Sequence, residues 1–295
     1  MIINDNTTIR ELLNLSSFHD NGRLLFPVNR PITLDMTLKQ LSTSHVYLWY
    51  SHIQVTTTVE VMNALNQKAL KNPIFYSIYS PQEILKDPSK KDTGLFFFKG
   101  KDYAPYAICN AGGGFAYVGA MHDSFPHALE LSKRGYNAFA LIYRVNHPYK
   151  DLARAISFIH DHADMLRIDK KYYSLWGGSA GARMAATLGN KKALSSYVGL
   201  DIPQAKAVIM QYTGYDYVSK DDAPTYACVG TNDFIASADI MERRLRQLQS
   251  LNIPTEFHKY KGLGHGFGLG IGTIAEGWID DAIAFWEYQM RDDEI

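Results

Sequence analysis

Five residues past the middle of the chain, Gly177-Gly178-Ser179-Ala180-Gly181, form a GxSxG sequence. They directly follow a strand-like run, Tyr172–Trp176, and directly precede a helix-forming run from Ala182 to Leu188. In that setting the serine sits at the tip of a sharp strand-to-helix turn, with its hydroxyl clear of the sheet. Glycines at 177 and 181 let strand and helix approach closely. The amide of Ala180 then points toward the oxygen of whatever carbonyl Ser179 attacks. A helix N-terminus begun by a Gly-Gly turn and capped by Ser179 is the plain alternative, and the strand before the motif weighs against it.

A serine nucleophile needs electrophilic donors, a base and an acid. Gly112-Gly113-Gly114-Phe115 follows the apolar run Tyr106–Asn110, and three consecutive glycines leave backbone amides uncovered. Acyl transfer needs such donors where the oxyanion develops, and losing one costs ~3 kcal/mol of transition-state stabilisation. A phosphate-cradling loop is the weaker reading, because no Lys-Ser/Thr pair and no GxGxxG spacing follows. Gly262-Leu-Gly264-His265-Gly266-Phe267 lies after the last strand-like run, and imidazole titrates near working pH. The acid belongs between serine and histidine in chain order, at the end of an intervening strand. Asp233, after the run Thr225–Gly230, fits best. Asp216 is its competitor; Asp201, Asp221, Asp222 and Asp239 are less well placed, and Asp239 suits a helix cap. Phe115 and Gly178, next to the glycine loop and the serine, are expected to contact substrate.

These residues must be positioned by a scaffold. From about residue 94, apolar runs alternate with amphipathic stretches: Leu95–Lys99, Tyr106–Asn110, Asn137–Arg144, Tyr172–Trp176, Ala205–Tyr212, Thr225–Gly230 and Thr255–Tyr260 read as strands buried on both faces. Leu152, Ile156, Ile159, Ala163 and Leu166 share one helix face, as do Met241, Leu245 and Leu248, and Ile279, Ile283, Trp286 and Met290. The alternation predicts an α/β fold with a mostly parallel central sheet and helices on both faces. Residues 1–93 differ, with helical stretches near Ile9–Leu15, Leu34–Leu41 and Thr57–Lys71, an aromatic cluster from His45 to His52, and a turn-rich boundary from Pro81 to Gly94. No internal repeat is apparent. The expected division is an N-terminal extension, 1–93, packed as a cap or appendage, and a catalytic domain, 94–295.

The 295 residues are 20% charged and 46% hydrophobic, with 30 Lys plus Arg against 30 Asp plus Glu. That composition excludes a disordered or fibrous chain, and the absent basic excess argues against nucleic-acid binding. No apolar run reaches the ~20 residues of a membrane span, and the amino terminus lacks the pattern of a signal peptide, so a cytoplasmic location is expected. Cys109 and Cys228 share no metal or redox spacing and read as buried hydrophobes. His160 and His162, two apart on a helix, are poor metal ligands, and neither metal nor cofactor is expected. Tyr47, Trp49 and Tyr50, flanked by His45 and His52, read as core, with the lining of an acyl or sugar pocket as the other use.

The order of strand, triple-glycine loop, strand, GxSxG, aspartate and histidine resembles the α/β-hydrolase fold over roughly residues 94–291. Within that superfamily the chain is most similar to bacterial carboxylesterases grouped with acetyl-xylan and carbohydrate acetyl esterases, related to hormone-sensitive-lipase-like enzymes. The lipase-like branch has His before its glycines; here Asn110-Ala111 stands there. The resemblance implies nucleophile Ser179, acid Asp233, base His265, and oxyanion amides of Gly113, Gly114 and Ala180. It implies hydrolysis of a short-chain acyl ester, with a small-molecule ester as partner and no cofactor.

Other readings remain open from the sequence. A peptidase, thioesterase or lactonase would use the same fold and triad. A non-catalytic receptor would keep the fold, though such proteins usually lose a triad residue. The apolar and aromatic surface of the N-terminal region would also serve a homo-oligomer.

Overall fold

The structure, a computed structural model, describes residues 2–18, 20–199 and 201–291. The apolar runs pair into an eight-stranded sheet: β1 (Phe75–Ser77), β2 (Gly94–Phe98), β3 (Pro105–Asn110), β4 (Asn137–Ile142), β5 (Asp169–Gly178), β6 (Ala207–Gln211), β7 (Thr225–Gly230) and β8 (Thr255–Tyr260), in the order β1-β2-β4-β3-β5-β6-β7-β8. The pairs β1–β2 and β2–β4 are antiparallel and the others parallel. Strands β2, β4, β6 and β7 are buried along their whole length, which is why they read as unbroken apolar runs.

The order reverses at β3. The chain leaves β3 for β4 on one side and later returns to β5 on the other. Right-handed crossovers in opposite directions put their helices on opposite faces. Phe125–Lys133, between β3 and β4, therefore lies on one face and Ala180–Gly189, between β5 and β6, on the other. Loops leaving the carboxyl ends of β3 and β5 diverge at this switch point, where open α/β sheets form their crevice.

The N-terminal region shares the main core. Ile9, Leu12, Phe18, Leu38, Leu41, Val46, Tyr47 and Leu65 are buried in the same apolar cluster as the sheet. Strand β1 was not expected. It is three residues long and joins the sheet from before residue 94, with Phe75 edge-on to Phe96 at 5.0 Å. Two short helices of this region are built alike. Thr8 caps helix Ile9–Leu13 and Thr37 caps helix Leu38–Ser42, each in a reciprocal box with Glu11 or Gln40. Each helix leads into a 3-10 turn, Ser16–Phe18 or His45–Tyr47, and the two caps meet in a Thr8–Thr37 bridge. The likeness covers only about five residues, Thr8–Leu12 against Thr37–Leu41, too few to stand out as a period.

Cys109 and Cys228 are free and buried. Among the described residues, no helix is long and apolar enough to cross a membrane.

Helix Ala238–Ser250 is pinned by an ion pair inside the protein. Arg244, 2% exposed, reaches Asp222 Oδ2 at 3.3 Å and donates to the Tyr217 carbonyl at 2.9 Å, while Asn190 donates to Asp222 Oδ1 at 2.6 Å. Removing one partner of a buried pair strands the other, at about 3 kcal/mol or more. Asp222→Ala is therefore expected to lower the stability measured by urea unfolding by about 3 kcal/mol. A loss below 1 kcal/mol would show that Arg244 finds water or another acceptor.

Candidate active site

The serine turn is built by close approach. Ser179 has φ 52° and ψ −116°, a region costing ~1–3 kcal/mol for a residue with a side chain. A Cβ on Gly177 would overlap the Gly181 backbone, and one on Gly181 would overlap the Asn110 carbonyl. The Ser179 amide donates to the Gln211 carbonyl at 2.9 Å, tying the turn to the end of β6. The serine is thereby presented at the carboxyl edge of the sheet, at the switch point.

His265 and Asp233 come from the loops after β8 and β7. His265 Nδ1 lies 2.7 Å from Asp233 Oδ2, and His265 Nε2 lies 3.1 Å from Ser179 Oγ. Asp233 Oδ1 accepts the amides of Ile235 and Ala236 at 2.8 and 2.7 Å, so both its oxygens are engaged. An ionised carboxylate only accepts, so Nδ1 carries the imidazole proton and Nε2 is left to accept from the serine hydroxyl. Both side chains are buried, His265 with the edge of Tyr212 at 5.0 Å. Of the competing acids, Asp222 is paired with Arg244 and Asn190.

The triple-glycine loop divides its amides. Gly112 donates to the carboxylate of Asp123 at 2.7 Å. Gly113 and Gly114 have φ 125° and 62°, values glycine adopts without penalty, and among the described residues neither amide donates to the chain. Ala180 opens its helix, where the first amides lack intrahelical acceptors. The loop is closed by bonds from Ala116 N to Gly113 O and from Gly119 N to Gly112 O, at 2.9 and 3.0 Å. Phe115 packs edge-on to Tyr143 and Tyr149. Gly178, expected to touch substrate, is buried at the end of β5, with the Asp123 carboxylate where its Cβ would stand. Its missing side chain makes room for that carboxylate.

Sequence reasoning missed a second set of residues. Asp123 accepts from Gly112, from Tyr50 Oη at 2.9 Å and from Tyr212 Oη at 2.5 Å. Tyr212 Oη accepts the Gly268 amide at 3.2 Å, and Gln211 Nε2 donates to the Gly268 carbonyl at 2.9 Å. His122 Nε2 meets the Gly266 carbonyl at 2.8 Å. Burial keeps His122 and His127 neutral, each pushed down to about 4, and drives Asp123 up to about 6.

The aromatic cluster of the extension splits between core and site. Tyr47 is buried, whereas Trp49 is 43% exposed, stacks on Tyr117 at 6.2 Å and stands beside Gly114. Segment 48–52 bridges the two functional loops: the Leu48 carbonyl accepts from Tyr117 Oη at 2.5 Å, while Ser51 donates through Oγ to the His265 carbonyl at 2.7 Å and through its amide to Gly266 O at 3.1 Å. A cavity of about 380 Å³ lies between the segment around residues 24–29 and the end of β4; Val118, Tyr143 and Arg144 line it.

Residues 95–197 match the family model BD-FAE, a span holding the glycine loop, Asp123 and the serine turn. No curated protein matches the chain. Among solved structures, an acetyl ester-xyloside bifunctional hydrolase from Caldicellulosiruptor lactoaceticus superposes with a TM-score of 0.63 at 21% identity, covering 72% of this chain and 95% of that one. A carboxylesterase from Lactobacillus plantarum gives 0.58 at 19%, covering 67% and 92%. A thermophilic esterase from the planctomycete Thermogutta terrifontis gives 0.57 at 18%, covering 72% and 93%. Sheet order, crossovers and these superpositions agree: the chain has the α/β-hydrolase fold.

Proposed function

We propose that this chain is a serine carboxylesterase acting on short-chain acyl esters, acetyl-type esters of small molecules and of carbohydrates among them. The observation that carries the reading is the unbroken hydrogen-bond path from Ser179 Oγ through His265 to Asp233, beside the amides of Gly113 and Gly114, which donate to no group among the described residues. Ser179 attacks the ester carbonyl as His265 Nε2 takes its proton, and Asp233 stabilises the imidazolium. The oxyanion is received by the amides of Gly113, Gly114 and Ala180. His265 gives the proton to the departing alcohol; water, deprotonated by the same base, then releases the acid and frees Ser179. The exposed face of Trp49 beside Gly114 offers an apolar surface to the ester, with Phe115 on the same loop. The acetyl ester and xyloside in the name of the Caldicellulosiruptor protein favour acetylated carbohydrate within the class. Residues 1–93 act in this reading as a cap-like extension of the catalytic domain, 94–295.

Initial rates with p-nitrophenyl acetate, butyrate and octanoate test it. Acetate and butyrate are expected to exceed octanoate at least tenfold in kcat/KM. A preference for octanoate would overturn the short-chain assignment, and a folded protein inert to all three would overturn the esterase.

A further inference from the structure

The geometry points to Asp123 as a positioning residue for this reaction: its buried carboxylate locks the glycine loop and the histidine loop into one register and sets a second negative charge near the imidazolium of His265. The inference rests on the esterase reading above. Asp123 is 2% exposed and lies against Gly178, immediately before the nucleophile. Its three donors come from three parts of the chain: Gly112 from the glycine loop, Tyr212 from the end of β6, and Tyr50 from the N-terminal extension. Through Tyr212 the same hydroxyl that donates to Asp123 accepts from Gly268. One carboxylate thus fixes the amide preceding Gly113 and Gly114, and through one tyrosine it fixes the backbone three residues after His265. Oxyanion donors are effective when held still before the charge develops.

An asparagine has the same shape, but its NH2 only donates, so it lacks both the charge, whose burial is costly, and one of the two accepting oxygens that hold Gly112, Tyr50 and Tyr212. Among the described residues no lysine or arginine pairs with Asp123. The groups that face it are Tyr50 from the extension, Tyr117 from the glycine loop, Cys109 of β3, Tyr143 after β4, Tyr212 after β6 and His265 after β8. His122 and His127, on its own helical segment, are held neutral by burial. His265 is the facing group that becomes a cation during the reaction. Burial raises the Asp123 carboxyl to about 6, with its hydrogen bonds and His265 acting against a larger rise, so above that pH the charge is present when the imidazolium forms.

The experiment compares wild type, Ser179→Ala, Asp123→Asn, Tyr50→Phe and Tyr212→Phe on p-nitrophenyl acetate, with Tm measured alongside. Asp123→Asn is expected to lower kcat roughly 10²-fold with KM nearly unchanged. The acid limb of kcat/KM should steepen toward two ionisations in wild type and fall with a single one in Asp123→Asn. A stability readout separates charge from shape. An acid raised from 3.8 to about 6 on folding holds its proton longer in the fold than in the unfolded chain, so stability falls as pH climbs from 4 to 6.5 and levels off above. The Asn variant lacks that loss, so its Tm relative to wild type should rise across that window. A folded Asp123→Asn with kcat within threefold of wild type and an unchanged acid limb would overturn the inference and leave the esterase standing. If Asp123→Asn does not fold, the two Phe variants decide: a fivefold or larger fall in kcat at unaltered Tm supports the inference, and unaltered kcat in both overturns it. Folded wild type no more active than Ser179→Ala would overturn the esterase reading, and this inference with it.

Discussion

Ser179→Ala is expected to reduce kcat/KM for p-nitrophenyl acetate by at least ~10³-fold, about 4 kcal/mol of transition-state stabilisation, while the protein stays folded. The variant keeps His265, Asp233 and the glycine-loop amides, so what it loses is the covalent acyl-enzyme route. A residual rate above buffer is expected from the remaining oxyanion donors. The same position makes a second, opposite prediction. With φ 52° and ψ −116°, Ser179 sits where glycine is at ease. Ser179→Gly should therefore be as inactive as the alanine variant yet unfold at a higher temperature, by an amount reflecting ~1–3 kcal/mol of relieved strain. If either variant kept a tenth of the wild-type rate, hydrolysis would be proceeding elsewhere on the protein.

The largest effect on folding is expected at Gly181. A methyl group there would overlap the Asn110 carbonyl and crowd the start of the glycine loop at Ala111. Those atoms are backbone in the middle of the sheet, Asn110 being paired to Gly177 in the β3–β5 register, so no side chain can turn aside. The strand or the helix must shift, and overpacking of this rigid kind costs more than the 1–3 kcal/mol usual for an added methylene. Gly181→Ala is expected to lower Tm by about 10 °C or to fail to accumulate as folded protein. Any folded fraction should lose activity too, since the displaced segment leads into Gly113 and Gly114. A variant with wild-type Tm and rate would mean that the β3–β5 edge is far softer than its burial indicates.

The sequence and the structure meet best where chemistry sits at the end of a buried strand. Ser179 and Asp233 each follow an apolar run whose strand is covered on both faces over its last residues; β8, which His265 follows and which was expected to be buried likewise, is instead a half-exposed edge strand of sequence TEFHKY. The structure brings these three into one hydrogen-bonded chain. Strand ends are less legible: Tyr143 continues the apolar pattern past β4 because it is buried there, donating to the Ala111 carbonyl, although the strand has ended at Ile142. β1 escaped notice because three residues are too few to show a period. Asp123 escaped for a different reason. It lies in a short helix with no motif around it, and what singles it out is that residues 50, 112 and 212 converge on it in space. The bareness of Gly178 answers a carboxylate 55 positions earlier in the chain, a relation that spacing cannot show.

The bond from Ser51 to the His265 carbonyl spans 214 residues. Contacts of such range form late, because the entropy of closing so large a loop is spent before the contact returns anything. Strap 48–52 finds its first partners at Tyr117 and Asp123, yet its contact with the histidine loop waits until the segment after β8 exists. The histidine and the glycine loop are bridged together only at that moment, so a chain interrupted between β6 and residue 265 has the residues of the serine turn but lacks the imidazole that meets Ser179. The hydrogen-bonded path from Ser179 to Asp233 is therefore completed only when the last loop of the sheet is in place.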